Sequence, residues 1–408
     1  MQRFGKRSVS QPVEGRRLPR MQVVLRAAAL AACLGSASLL GAEAPPAVPT
    51  ATSSDLSSAL PPEEWTRVER AIDRGLEWLA SQQADDGSFP SNPVGQPAVT
   101  SLAVMAFLSR GHLPGHGIYG RQIDRAIEYV LAQQDRRGYF SALRVAPTPG
   151  HLTPPQTVHY NHSIAGLMLG EVYGMTSGAQ SRRIETALSK ALAYSRSIQA
   201  IGKAHPDEAG GWRYAYQNGG LGQANSDLSV SGWALMFYRS ARNAEFAVPK
   251  QFVDEGLDFV ERCYVDDPAD RQDGVFRYRP LSVQKEAKAT LANTGSAMLV
   301  LALGGRHDSE MVRQGAQWYA SRNYPDASKT GHFYLASYYS SQAMAQVGGG
   351  VWNRVYPQIA AAVMNEQTPG GAWPSGSGNE VSFGSTYSTS LAVLALTPPY
   401  QLLPIYQR

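Results

Sequence analysis

The sequence predicts an all-α protein, six helical hairpins stacked into a closed ring: an α/α6 toroid with inner and outer helices. Three observations lead there. Six times a glycine followed two residues later by a large aromatic ring stands between two helix-like segments: Gly87/Phe89, Gly138/Phe140, Gly210/Trp212, Gly274/Phe276, Gly331/Phe333 and Gly371/Trp373. Each pair separates an amphipathic segment from one that is apolar or small nearly all round. The glycines stand 51, 72, 64, 57 and 40 residues apart, a period at which no single unit buries its own apolar face, so the units must stack.

Residues 1–44 read as an export signal or membrane anchor. They hold seven Lys/Arg against Glu14 and Glu43, an uncharged stretch from Ala27 to Ala42, and Ala42-Glu43-Ala44 as a small-x-small cleavage site. Met21 is a second candidate start. The apolar stretch is shorter than the roughly 20 residues a membrane span needs. Leu30-Ala31-Ala32-Cys33 resembles a bacterial lipoprotein box, so a cleaved signal, a lipid anchor at Cys33 and an uncleaved anchor all stay open. The expectation is an exported protein of the periplasm or cell envelope, attached to a membrane, if at all, through its N-terminus. Residues 45–62, rich in Pro, Ser and Ala, read as a tether, and residues 63–408 as the toroid.

Outside residues 1–44 the chain has 30 basic and 31 acidic residues, no electrostatic footprint for nucleic acid. Cys263 is the one cysteine of the body and reads as a small buried side chain.

The first outer helix places Val68, Ala71, Ile72, Gly75, Leu76 and Leu79 on one face and Arg67, Arg70, Asp73, Arg74 and Glu77 on the other. The second repeats this with Ile123, Ala126, Ile127, Val130 and Leu131. The inner segments, Ser101–Leu108, Ile164–Leu169, Val230–Tyr238, Ala297–Leu303, Tyr334–Val347 and Ser390–Leu396, have no polar face and must be buried all round. Short polar residues at their starts (Thr100-Ser101, Asn161, Asp227, Asn293-Thr294, Ser388-Thr389) read as caps. Because every unit runs outer helix, turn, inner helix, all inner N-termini open at one rim, where their dipoles favour electron-rich groups.

The run Arg74-Gly75, Trp78-Leu79, Gln83, Gly87, Phe89 resembles the QW repeat of squalene and oxidosqualene cyclases and protein prenyltransferase β subunits. Partial copies stand at Gln134/Gly138/Phe140 and Gln367/Gly371/Trp373. The resemblance spans residues 64–400 and implies the terpenoid cyclase/prenyltransferase toroid. The cyclase acid motif Asp-x-Asp-Asp is absent; in Asn225-Ser226-Asp227-Leu228-Ser229 only Asp227 matches, at the position of the acid. A carboxylate at a helix N-terminus is expected to stay ionised, which opposes a proton-donor role. Where prenyltransferases hold zinc, Ser229 and Tyr334 replace the thiolate and imidazole, so neither metal nor cofactor is implied. A thioester sequence is missing as well.

Asp227 and His162 are thus the candidate catalytic residues. Candidate ligand contacts are Trp212, Arg213 and Tyr214, the similar turn at Arg277, then His332, Tyr334, Tyr338, Trp373 and Tyr387. Each has a structural counter-reading: rings that pack between hairpins, arginines that brace loops, a buried hydrogen-bonded histidine. The leading expectation is a hydrophobic, isoprenoid or polycyclic, ligand in the ring centre. The alternatives are a divergent terpenoid cyclase using Asp227, and a carbohydrate-active enzyme or sugar-binding module using Arg213, Arg277 and His162.

Overall fold

The structure is a computed structural model that describes residues 56–143, 154–214, 225–265, 274–285, 289–375 and 378–407, all within the compact unit Val48–Arg408. The export segment lies outside the described residues. Of the expected tether, residues 56–62 are seen: Leu56 is buried and its carbonyl accepts from Trp352 Nε1 at 2.8 Å.

Among the described residues twelve α-helices form six hairpins. The outer members are α1 (Pro62–Gln82), α3 (Gly120–Ala132), α5 (Gly178–Gln199), α7 (Lys250–Arg262), α9 (Glu310–Ala320) and α11 (Gly349–Asn365). The inner members are α2 (Ala98–Ser109), α4 (Pro154–Tyr173), α6 (Leu228–Asn243), α8 (Leu291–Leu301), α10 (Phe333–Val347) and α12 (Gly384–Leu396). Each inner helix packs on the next, and α12 packs on both α2 and α1, which closes the ring. In α1 the buried residues are those of the apolar stripe, Val68 to Leu79, whereas α2 is buried along its whole length. No helix among the described residues is long and apolar enough to cross a membrane.

The repeated glycines fasten each hairpin to the next. Gly87, Gly138, Gly210, Gly274 and Gly371 all have left-handed φ, from 79° to 101°. At each, a Cβ would strike a carbonyl of the following outer helix: Arg125, Lys190, Glu255, Gln314 and, where the ring closes, Arg74. Only glycine tolerates both conditions. The preceding glutamine completes the joint. Gln83 Nε2 donates to Gly87 O at 3.0 Å and across the gap to Gln122 O at 2.8 Å. Gln134, Gln199 and Gln367 repeat this, Gln367 reaching Ala71 on α1.

Two expectations change. Gly331 does not form the shared turn; it has open space around it, and His332 beside it is the left-handed residue, φ 55°, before α10. The short polar residues, Asp227 apart, are not caps of their own helices, which begin earlier. Thr100, Thr294 and Thr389 instead, with Ser231 within α6, use a hydroxyl to accept the N–H of the turn aromatics Phe89, Phe276, Trp373 and Trp212 respectively. Asn161 caps its neighbour: its Oδ1 accepts from Ala98 N, the first residue of α2. In the fourth hairpin a two-residue ladder, β1 (Tyr264–Val265) with β2 (Val275–Phe276), replaces the glutamine joint.

The two ends of the ring differ. Connections from outer to inner helix are long, such as 83–97 and 321–332, and those from inner to outer are short, such as 174–177 and 244–249. On a rigid scaffold, long loops are where binding residues concentrate. At the other end the C-terminal stretch is tied down by Asn243 to Pro404 O, Ile405 N to Glu171, and Gln346 to Tyr406 O. Between the ends, Trp233 of α6 stacks on Tyr338 of α10 at 5.6 Å and tilts against Tyr339 at 5.5 Å. Aromatic rings from non-neighbouring inner helices therefore meet across the interior.

Candidate functional site at the mouth of the ring

Asp227 is held by the two turns that flank it. Its N–H donates to Trp212 O at 2.9 Å, and the next N–H, of Leu228, donates to Tyr278 O at 2.9 Å. Its side chain caps α6, Oδ1 accepting from Val230 N at 2.9 Å. The carboxyl is fully buried; Oδ2 makes no hydrogen bond of ordinary geometry, although the Tyr278 hydroxyl is near enough to stabilise the charged carboxylate. Arg213 Nε stands 4.0 Å from that oxygen, and Arg213 Nη1 is likewise buried and unpartnered.

The guanidinium lies over two phenol rings, its carbon 5.0 Å from the centroid of Tyr214 and 5.6 Å from that of Tyr278. This fixes the cation by attraction to the ring faces. The two phenols share a hydrogen bond of 2.6 Å between their hydroxyls, and Tyr160 of α4 stands 6.2 Å from Tyr214, ring to ring. Behind Arg213, the buried His159 contacts the Arg213 carbonyl through Nδ1 and the Tyr194 hydroxyl through Nε2 at 3.1 Å. Burial lowers the His159 pKa to about 4, so the ring is neutral, with Nδ1–H donating to the carbonyl and Nε2 accepting.

Electrostatics at Asp227 run against the direction expected of a helix N-terminus, although the carboxyl is still mostly ionised at pH 7. Burial pushes its pKa up to about 6; Arg213, the Val230 N–H, the Tyr278 hydroxyl and the Ser229 N–H offset this only in part. Desolvation outweighs the helix N-terminus because the carboxyl has no contact with water. The Tyr160 and Tyr278 hydroxyls are raised by burial and by the Asp227 charge, and stay protonated.

Of the residues singled out from sequence, Asp227, Arg213 and Tyr214 come together here. Arg277, in the similar turn, donates from Nη1 to Lys285 O at 3.0 Å and braces its own loop. Trp212 and Trp373 pack between helices, with indole N–H groups on Ser195 O and Val363 O. His162 lies among Phe140, Tyr194 and Phe237, its pKa lowered to about 3 by burial. Tyr338 bonds to Tyr406 at the closed end. His332 is exposed. Tyr334 and Tyr387 both feel the charge of Glu380, a buried carboxyl that accepts from Leu335 N at 3.3 Å at the start of α10. Glu380 was not anticipated, nor were His159, Tyr160 and Tyr278 as site residues. The repeated Trp/Phe-Arg-Tyr turn was the signal for Tyr278; nothing comparable marked His159 or Glu380. Among the described residues no group of three or more His, Cys, Asp or Glu is placed to hold a metal.

Arg213 and Asp227 thus each carry a buried polar atom without a hydrogen bond, on neighbouring side chains flanked by tyrosine rings. A hydroxyl is the group that satisfies both, accepting from Arg213 and donating to Asp227.

The sequence matches no family model and no curated protein. Solved structures do resemble the fold. A type II terpene cyclase from Scytonema, MstE, in complex with merosterolic acid A, superposes with a TM-score of 0.55 at 14% identity, over 84% of this chain and 100% of that one. The GH76 α-mannanase BT2949 of Bacteroides thetaiotaomicron gives 0.54 at 11% identity, over 82% and 96%. An α-amylase from Clostridium perfringens gives 0.51 at 10% identity, over 80% and 97%. The protein thus has the α/α toroid fold of the terpene cyclases, a fold it shares with enzymes that act on glycans.

Proposed function

We propose that this is an exported binding protein that takes a ring-bearing, largely apolar molecule, an isoprenoid or polycyclic alcohol, at the mouth of the toroid. One observation carries the reading: Arg213 Nη1 and Asp227 Oδ2 are both buried and unpartnered, with the two side chains 4.0 Å apart. Two such atoms would each cost about 1–3 kcal/mol if left unmet. A ligand hydroxyl meets both. The tyrosine rings around them suit the flat face of a ring system. Of the similar folds, MstE is seen with geranylgeranyl dihydroxybenzoate, a molecule of that kind. Export rests on residues 1–44 and is tested by fractionation and N-terminal sequencing, expecting a start near Pro45 or a lipidated Cys33.

A second reading is acid chemistry at Asp227. A buried carboxyl with a pKa near 6 and one free oxygen holds a proton over part of the physiological range, as a general acid must. The two readings share a test. Purified protein is loaded with membrane-lipid extract or with an oligosaccharide mixture, washed, and its bound molecules identified by mass spectrometry. Retention of an intact polycyclic or isoprenoid alcohol supports binding; a cyclised product supports catalysis. Retention of oligosaccharide alone would replace both with the glycan alternative.

A further inference from the structure

At the end of the ring opposite the mouth, a groove of about 440 Å³ runs between α6, α7 and the end of α8. Its floor is apolar, built from Leu235, Val253, Leu257 and Val300. Its edge carries Arg239, Arg242 and Lys250, with His307 beyond, and no acidic residue is among those lining it. The end of α8 is distorted here: Ala302–Arg306 form a π-helical turn in which Gly305 takes φ 86°. Such turns recur at functional sites.

The cations are incompletely neutralised. Lys250 pairs with Asp254 at 2.7 Å. Arg242 is exposed, in the last turn of α6, where the helix dipole accounts for it. Arg239 is different. Its Nη2 reaches Gln407 O at 3.4 Å, but its Nε is buried and unpartnered. Burial and the neighbouring Arg242 charge both destabilise its cation, and Glu171 offsets this only in part. Lys250 opens α7, so that helix's free N–H groups add to the positive field. An anion beside Arg239 and Arg242 relieves the repulsion; an alkyl chain covers the floor. The volume suits one chain, not a patch of bilayer.

We propose that this groove is a second ligand site, separate from the mouth, for a single-chain anionic amphiphile: a phosphate or carboxylate head on an alkyl tail. The test is calorimetry on the full chain with four probes: dodecyl phosphate below its micelle concentration, dodecanol, inorganic phosphate, and phosphatidylglycerol vesicles. Dodecyl phosphate should bind, with dodecanol and phosphate each at least tenfold weaker. Arg242→Gln, at an exposed position, should weaken dodecyl phosphate at least tenfold, as should Arg239→Gln if its melting curve matches the parent. Asp227→Asn, at the other end of the ring, should leave this binding unchanged. Dodecanol binding as tightly as dodecyl phosphate, unaltered binding by Arg242→Gln, or binding to vesicles but not to dodecyl phosphate would overturn the proposal.

Discussion

Arg213 Nε and Asp227 Oδ2 face each other at 4.0 Å, close enough to attract and too far to hydrogen-bond. Each side chain is fixed from behind, Asp227 as the cap of α6 and Arg213 between two phenols. Neither can close the gap without losing those contacts.

The raised pKa of Asp227 has a consequence for stability. The folded protein holds this proton up to about pH 6, against 3.8 in the unfolded chain. Its contribution is therefore fully present below pH 4 and is lost as pH rises through 6, a difference of about 3 kcal/mol. Asp227→Asn keeps the cap and removes the ionisation. Denaturant melts of both proteins should coincide near pH 4 and diverge in favour of the variant by pH 7. His159 and His162, whose lowered pKa values act in the opposite direction, cancel in this comparison. Parallel curves across the range would show that the carboxyl is not desolvated.

Ring closure rests on Gly371. A Cβ there would lie 2.5 Å from Arg74 O, on a backbone with φ 91°. Gly371→Ala should cost about 2 kcal/mol or more, by strain and by displacing α1. Gly331→Ala, with nothing within 4 Å, should stay within about 0.5 kcal/mol. Equal melting of the two variants would mean that the last hairpin does not press on the first.

Gln367 makes the same prediction through a different bond. Its amide donates to Gly371 O at 2.9 Å and to Ala71 O at 2.8 Å, the latter 296 residues away. Gln367→Ala should cost about 1–3 kcal/mol, in the range of Gln83→Ala and Gln134→Ala, because all three leave two carbonyls without this donor. A neutral Gln367→Ala beside costly changes at the other two would leave the ring open in solution.

The fold was legible because it is written in repeats. Glycine at Gly87, Gly138, Gly210, Gly274 and Gly371 answers one local demand, a left-handed turn under a carbonyl, so the residue reports the geometry. Gly331 misled because His332 adopts the left-handed backbone in its place. The site was legible only in part. Asp227, Arg213 and Tyr214 stand near the turns that the repeats located. His162 was favoured over His159 although both lie on α4; which of them meets Arg213 depends on helix rotation against the third hairpin, a tertiary fact. Glu380 and Glu171, both raised to about 7 by burial, look like surface carboxylates until their surroundings are known.

We propose that the gap between Arg213 and Asp227 receives a ligand hydroxyl. The most direct measurement is native mass spectrometry of the lipid-loaded protein, comparing the parent with Asp227→Asn and with Arg277→Gln, whose arginine braces a loop outside the site. The parent and Arg277→Gln should retain the same hydroxyl-bearing molecule, and Asp227→Asn should lose at least 90% of it, a tenfold weakening or about 1.4 kcal/mol, without loss of stability. Equal retention by Asp227→Asn, or a retained molecule that lacks a hydroxyl, would show that no ligand hydroxyl sits between Arg213 and Asp227.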